Sequence, residues 1–421
     1  MNVLQLILLN VLLFFVLVTV HEWGHFYFAR RAGILTREFA IGFGPKVLSF
    51  VKGETRYTLR LLPIGGFVRM AGEDPELVQI NPGQRIALAI QDDKVTHIYL
   101  NDLDSRRDAL QGVVEDIDLE HKLFVRVDVD GVLHKFAVHP QAMMVSKDKE
   151  TQIAPWDRQF GSKTVGQRAL AIFAGPLMNF ILAIILFISV AFMVGTPLPD
   201  RIRIQSTVDS SAAQKAGLMA GDVIIEVNGE KIAGDSKKLT GLIQDSANKP
   251  MSWVVERDQQ LLTKQVTPVL TADNAIRVGV SLGPDTRPAT ISEAFQFGWK
   301  NMVLYSTLIL DGFGKLATLQ VDMDELGGPV QIVQFTSEQA AAGWPQYVNW
   351  MALMSLYLGL FNLLPVPALD GSRLVFLGLE ALRGKPIDPN RESMVHFVGF
   401  AMLMLLMIAV TYNDILELIK G

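Results

Sequence analysis

From Val3 to Ala29 the chain contains no lysine or arginine, and the run as far as Val20 is predominantly apolar. A helix crossing a bilayer needs about 20 such residues, because hydrocarbon offers no water to satisfy free backbone groups. Comparable stretches recur at 169–195, 348–369 and 394–412. With the first at 1–30, they predict a multi-pass α-helical membrane protein with four transmembrane helices. The opening stretch is expected to be a span and not a signal peptide, since it lacks a basic start and a small-residue cleavage site. Composition agrees: half of the 421 residues are hydrophobic and 19% are charged, with a mean hydropathy of +0.29, which is too apolar for an ordinary soluble chain.

Lysine and arginine near span ends mark the cytoplasmic side. Arg30, Arg31, Arg37, Lys46 and Lys52 follow the first span, and Arg373, Arg383, Lys385 and Arg391 separate the third from the fourth. Both connections are therefore expected in the cytoplasm, with both termini and the segment 196–346 outside. Residues 38–72 are expected to form a membrane-associated β-hairpin, because Tyr57 to Met70 reads as two short strand-like runs around Pro63, Gly65 and Gly66. Residues 76–165 are polar and strand-rich in patches, which predicts a small cytoplasmic insert. Residues 288–346 read as a juxtamembrane segment.

Charge and cysteine content narrow the chemistry. Lys and Arg total 38 against 43 Asp and Glu, a net charge of −5 that argues against a nucleic-acid binder held by phosphate contacts. There is no cysteine, so disulfides, thiolate metal sites and catalytic thiols are excluded. Any metal must be held by His, Asp or Glu.

The end of the first span reads His21-Glu22-Trp23-Gly24-His25, an H-E-x-x-H string. On a helix the two histidines share one face and can reach one Zn²⁺, while Glu22 stands beside them to take a proton from water on the metal. Three ionisable residues in or beside a span are costly to insert, which favours a functional reading over a merely interfacial one. A hydrolytic zinc site commonly uses three protein ligands. The candidate for the third is Asp370, which directly follows the uncharged stretch from Met351 to Leu369. Pro365 and Pro367 interrupt that stretch and free backbone groups, as expected where a span lines a cavity. The alternative reading makes Asp370 the N-cap of the next helix.

Asn362, Pro365, Pro367, Leu369, Asp370 and Gly371 together match an N-x-x-P-x-P-x-L-D-G string. With H-E-x-x-H in another span, this resembles the site-2 protease family of intramembrane zinc metalloproteases. The resemblance implies His21, His25 and Asp370 as zinc ligands, Glu22 as general base and Asn362 as a substrate or transition-state contact. Ala174 to Asn179 resembles a family segment packed near the site. Ser372 departs from the family, which often has a second glycine there.

Ala216 to Ile232 reads AGLMAGDVIIEVNGEKI, with a short helix ending at Gly217, a turn at Gly221-Asp222, alternating Val223, Ile225 and Val227, and a tight turn at Asn228-Gly229. It resembles a PDZ domain, which implies an extracytoplasmic domain over 201–284 with a peptide groove near Val278, Gly279 and Val280. One PDZ motif with an insert looks like the Gram-positive branch of the family.

The expected activity is hydrolysis of peptide bonds in transmembrane segments, with zinc as cofactor. A spanning substrate hides each peptide bond in its own helix, so it must be unwound. The free edge of the hairpin, at Gly65, Gly66 and Phe67, is expected to take the unwound strand by strand addition; the plainer alternative is a packing hairpin. The family implies single-span substrates already trimmed by an upstream site-1-type protease, such as anti-sigma factors and signal-peptide remnants, in the lipid bilayer of the cell membrane. A transporter would also use intramembrane His, Glu and Asp, but commonly shows repeated spans, and none is seen. A membrane-tethered PDZ scaffold would need no H-E-x-x-H.

Overall fold

In the computed structural model the first helix, α1 (Val3–Arg31), starts from a reciprocal cap: Asn2 accepts the Gln5 N–H and the Gln5 side chain accepts the Asn2 N–H. Arg30 and Arg31 close it where the helix dipole favours cations. Twenty-nine residues of helix extend about 44 Å, enough to exceed a hydrocarbon core of about 30 Å. The structure describes residues 2–73, 80–103, 106, 108–147, 149–271, 275–318, 320 and 327–420, so the expected start of the insert, 76–79, lies outside the described residues.

Two long bent strands follow, β1 (Thr36–Lys52) and β2 (Thr55–Met70). Phe39 pairs with Val68 on one side and with Tyr57 on the other, and Lys52 meets Thr55 at the tip. The two runs of 57–70 therefore do not pair with each other as the sequence suggests. They flank β1, and the 66–70 segment is left as an outer edge with no further strand paired to it among the described residues. Near the opposite end, Phe43, Val47, Leu48, Leu61 and Leu62 stand exposed.

The insert contains β3 (Arg85–Gln91), β4 (Lys94–Tyr99), β5 (Leu110–Asp118), β6 (Phe124–Val129), β7 (Val132–Ser146) and β8 (Lys149–Gln152), in the order β4-β3-β5-β6-β7-β8. Parallel pairing of β4 with β7 closes five of them into a ring around Ile86, Leu88, Val95, Ile98, Val125 and Val127, all essentially fully buried. Small closed barrels fill their interior with such side chains.

Glu54, at the β1–β2 tip, ties this barrel region to the sheet. Its carboxylate accepts two bonds from Arg158 (2.6 and 2.8 Å), one from Gln152 (2.7 Å) and one from Gln141 (3.0 Å). The Arg158 bonds, followed by those from the two glutamines, hold its pKa down to about 2 against an ordinary 4.5. A carboxyl lowered on folding stabilises above its unfolded value and loses that contribution as pH falls through the folded one. The melting-temperature gap between wild type and Glu54→Gln should therefore be full above pH 4.5 and shrink as pH falls toward 2. A gap independent of pH would show that the carboxylate's charge is not what matters.

Helix α2 (Val165–Val194) leads to residues 188–298, which cluster as a unit of their own, apart from 1–187 with 299–421. That unit holds β9 (Thr196–Thr207), α3 (Ala212–Lys215), β10 (Val223–Val227), β11 (Glu230–Lys231), α4 (Ser236–Asp245), β12 (Met251–Arg257), β13 (Gln260–Val266), β14 (Val269–Leu270), β15 (Ile276–Arg277) and β16 (Val280–Arg287). Asn228 and Gly229 take φ of 52° and 82° in the tight turn between β10 and β11, a backbone that Asn-Gly adopts at little cost. The main sheet runs β13-β12-β10-β9-β16, over a core around Trp253 and Ile204, so β16 is an edge strand.

The chain closes with α5 (Ile291–Ala317), α6 (Pro329–Ala342), α7 (Trp344–Asn362), α8 (Asp370–Arg383) and α9 (Pro389–Lys420). The segment 288–346 is thus mostly helical in its described part. Among the described residues three helices are long and apolar enough to cross a membrane: Val3–Arg31, Val165–Val194 and Arg391–Leu416. The chain accordingly has the helices of a membrane protein, but α7, which covers most of the expected third span at 348–369, does not reach that standard. Three of its polar groups bond inward: the Tyr347 hydroxyl donates to Leu9 O, Trp350 Nε1 to Thr336 Oγ1, and Ser355 Oγ to Asn179 O. A helix whose polar groups are satisfied by neighbouring protein needs less hydropathy than one that faces lipid all round.

Candidate active site

Four residues apart on α1, His21 and His25 lie one above the other, and both are buried. Two glycines let α2 approach them. A Cβ on Gly24 would lie 2.3 Å from Ala174 O, and a Cβ on Gly175 would lie 2.2 Å from His25 Nε2 and 2.9 Å from His21 Nε2. Small residues are the usual means of close helix contact in membranes. The same approach supplies partners for the outer ring nitrogens: His25 Nδ1 meets Ala171 O at 2.9 Å, and His21 Nδ1 meets the Asn179 amide at 3.4 Å.

Asp370 is the first residue of α8, but it does not cap that helix. The N-cap is Leu369, without a side-chain bond, and the Asp370 carboxylate turns to the histidines. Its Oδ2 lies 3.2 Å from His21 Nε2 and 3.3 Å from His25 Nε2, and the two Nε2 atoms are 3.2 Å apart. Three lone-pair atoms at these separations repel unless a cation sits between them. The edges also fit the ion: a tetrahedron with bonds of about 2.0–2.1 Å, usual for zinc, has edges of about 3.3–3.4 Å. These are the only described His, Asp and Glu side chains grouped closely enough to hold a metal.

The three atoms stand in a cleft of about 790 Å³ that Glu22 also lines. Glu22 is buried against β2, where a Cβ on Gly66 would lie 2.8 Å from Glu22 Cγ. Gly66 and Phe67 line the cleft, as does the rest of the outer edge to Met70. Gly65 does not; it holds a φ of +77° under the Phe43 ring. Asn362 lines the cleft, with its Nδ2 donating to Leu358 O at 3.0 Å. Val278, Gly279 and Val280 belong to the 188–298 unit. There the Val278 and Gly279 carbonyls accept from Ala213 and Val208 N–H, while Val280 opens the edge strand β16.

Several cleft residues were not legible in the sequence. Arg373 pairs with Glu73 beside Asp370, and Ser393, His396, Phe397 and Phe400 of α9 form a wall. Asn179, the last residue of the Ala174–Asn179 segment singled out in the sequence, does not line the cleft and instead meets His21 from behind it. The others are polar or aromatic residues, Arg373 on α8, Ser393, His396, Phe397 and Phe400 on α9, and Glu73 after β2, which no local pattern distinguishes.

The family model for peptidase family M50 matches residues 9–406. The zinc metalloprotease RasP of Oceanobacillus iheyensis is 41% identical over 417 residues, covering 97% of this chain and 98% of that one. The regulator of sigma-W protease RasP of Bacillus subtilis is 43% identical over 413 residues, covering 97% of each. A solved PDZ domain of an SdrC-like protein from Listeria monocytogenes aligns to 21% of this chain and 92% of its own, at 17% identity and a TM-score of 0.19.

Proposed function

This chain belongs to peptidase family M50, the site-2 type of zinc metalloproteases, and we propose that His21, His25 and Asp370 hold its zinc and that Glu22 is its general base. The observation that carries the assignment is the convergence of three lone-pair atoms, 3.2–3.3 Å apart, in the cleft that contains Glu22. When bound, zinc supplies a Lewis acid that acidifies water and polarises a carbonyl. Glu22 takes the proton of the attacking water and returns it to the leaving amine. Ala171 O and Asn179 orient the two imidazoles by occupying their Nδ1 atoms, as outer partners of metal-bound histidines do. For Asn179 this requires Oδ1 to face a protonated His21 Nδ1. In that orientation the buried Asn179 Oδ1, which has no other partner among the described residues, accepts from His21.

The substrates we assign are transmembrane segments of single-span proteins already trimmed outside, such as anti-sigma factors and signal-peptide remnants. A regulator of sigma-W protease among the relatives supports the first class. The substrate strand adds to the outer edge at Gly66 and Phe67, with Gly65 shaping the bend before it and Asn362 meeting the peptide across the cleft. The exposed apolar end around Phe43 and Leu48 supports insertion of this sheet into the membrane. We take α7 as the third of four spans and assign the protein to the cell membrane, with 201–284 as an extracytoplasmic PDZ domain that selects trimmed substrates. There β16, from Val280, offers the free edge.

The function is tested by cleavage in detergent. The purified protein should cut a trimmed single-span substrate, a zinc chelator should stop it, and the untrimmed form should resist. Cleavage that persists without zinc rejects the assignment. Equal cleavage of both forms rejects the selective role of the outer domain. Phe67→Pro should slow cutting of a helical substrate about tenfold while leaving zinc in place, since proline removes an edge donor and distorts the strand. Equal slowing of a short extended peptide would count against strand addition.

A further inference from the structure

The turn that delivers Asp370 is strained and is held from outside. Ala368 has a φ of +78°, an uncommon conformation for a residue with a Cβ, which persists only where surroundings enforce it. On one side Gly371 packs on the end of α7, where a Cβ would come within 2.3 Å of the Leu363 and Leu364 carbonyls. On the other side Gly399 of α9 packs on Pro367, where a Cβ would lie 2.2 Å from Pro367 Cβ. One turn before Gly399, His396 accepts the Ala368 N–H at its Nδ1, at 3.1 Å.

We propose that His396 is a positioning residue, which fixes the Asp370 carboxylate by holding the strained Ala368 turn against α9. The inference rests on the reading of Asp370 as a zinc ligand. For Nδ1 to accept, the ring hydrogen must be on Nε2, and that atom faces Glu392 Oε1 at 3.6 Å, one helical turn back. The face of α9 that carries His396 also presents Phe397 and Phe400 to the cleft. One helix therefore walls the substrate space and sets the third ligand. Among the three membrane-length helices, α9 is the least buried, and its far half is fastened to α6, where buried Asp414 accepts the Gly328, Val330 and Gln331 N–H.

The experiment measures zinc affinity of the full chain in detergent by competition with a chelator, with zinc itself as the probe. His396→Ala is expected to weaken zinc binding by about 10-fold, the lower end of what losing a direct partner of a ligand does, because His396 acts on Asp370 through the Ala368 turn. His396→Asn should recover most of that affinity, because its Oδ1 stands where Nδ1 stood. His396→Gln should not, because its Oε1 stands where Nε2 stood. Adding Ala368→Gly to His396→Ala should restore binding in part, since glycine takes positive φ without steric cost.

Wild-type affinity in His396→Ala, or equal affinities in the Asn and Gln variants, overturns the proposal. If His396→Ala does not fold, the Asn and Gln pair decides alone. Asp370→Ala measured alongside separates the two readings. Should it retain tight zinc, the ligand assignment fails; should it lose zinc while the His396 variants do not, only the positioning role fails.

Discussion

Glu22→Gln is expected to retain one zinc per chain and to lose cleavage by at least about 10²-fold, the lower end of what a positioned acid-base group contributes. Glutamine has nearly the same shape, so it fills the same space against Gly66, where the backbone approaches the side chain closely. It cannot take a proton from water or return one to the leaving amine. The side chain is not among the three atoms that face one another at 3.2–3.3 Å, so the metal does not depend on it. Zinc content by atomic emission and single-turnover cleavage of a trimmed substrate check both halves. Loss of zinc in step with activity would make Glu22 a ligand, and normal turnover would remove it from the chemistry.

Asp370→Ala should lose zinc and activity together. Two imidazoles remain, and the carboxylate is the only member of the set that brings a formal negative charge to the metal. The fall in affinity should exceed the roughly 10- to 100-fold that removal of an outer partner produces. The fold should survive, because Asp370 does not cap α8 and Leu369 occupies that position. Chelator competition, with circular dichroism as the check on folding, measures this directly. Retained tight zinc with full cleavage would place the third ligand elsewhere.

Local patterns carried much of this protein. The H-E-x-x-H spacing sets two histidines on one helix face whatever surrounds it, because the helix period alone decides that. Asp370 was conspicuous as a charge after a long uncharged stretch broken by two prolines. The Asn228-Gly229 turn follows from the φ that those residues tolerate. The order of the sheet was less legible. The two runs of 57–70 look like a hairpin, yet both pair with β1, since register is set by which faces are buried and not by proximity along the chain. Closure of the insert barrel depends on β4 meeting β7 across the intervening strands, a contact with no local signature.

What the sequence determined by itself are the properties that depend on composition and period: apolar helices of membrane length, two histidines on one helix face, one conspicuous carboxylate after an uncharged stretch and the class of reaction. What only the tertiary structure decided is how these parts meet. It set the 3.2–3.3 Å triangle of His21, His25 and Asp370 atoms, the outer edge at 66–70 beside Glu22, and the Asn179 contact to His21. It also set the grip of His396 on the Ala368 turn. The reason is physical: hydropathy and helix period act over neighbouring residues, whereas these contacts join residues far apart in the chain. Their distances follow from close packing at Gly24, Gly175, Gly371 and Gly399, where the absence of a side chain says nothing until the opposing surface is known.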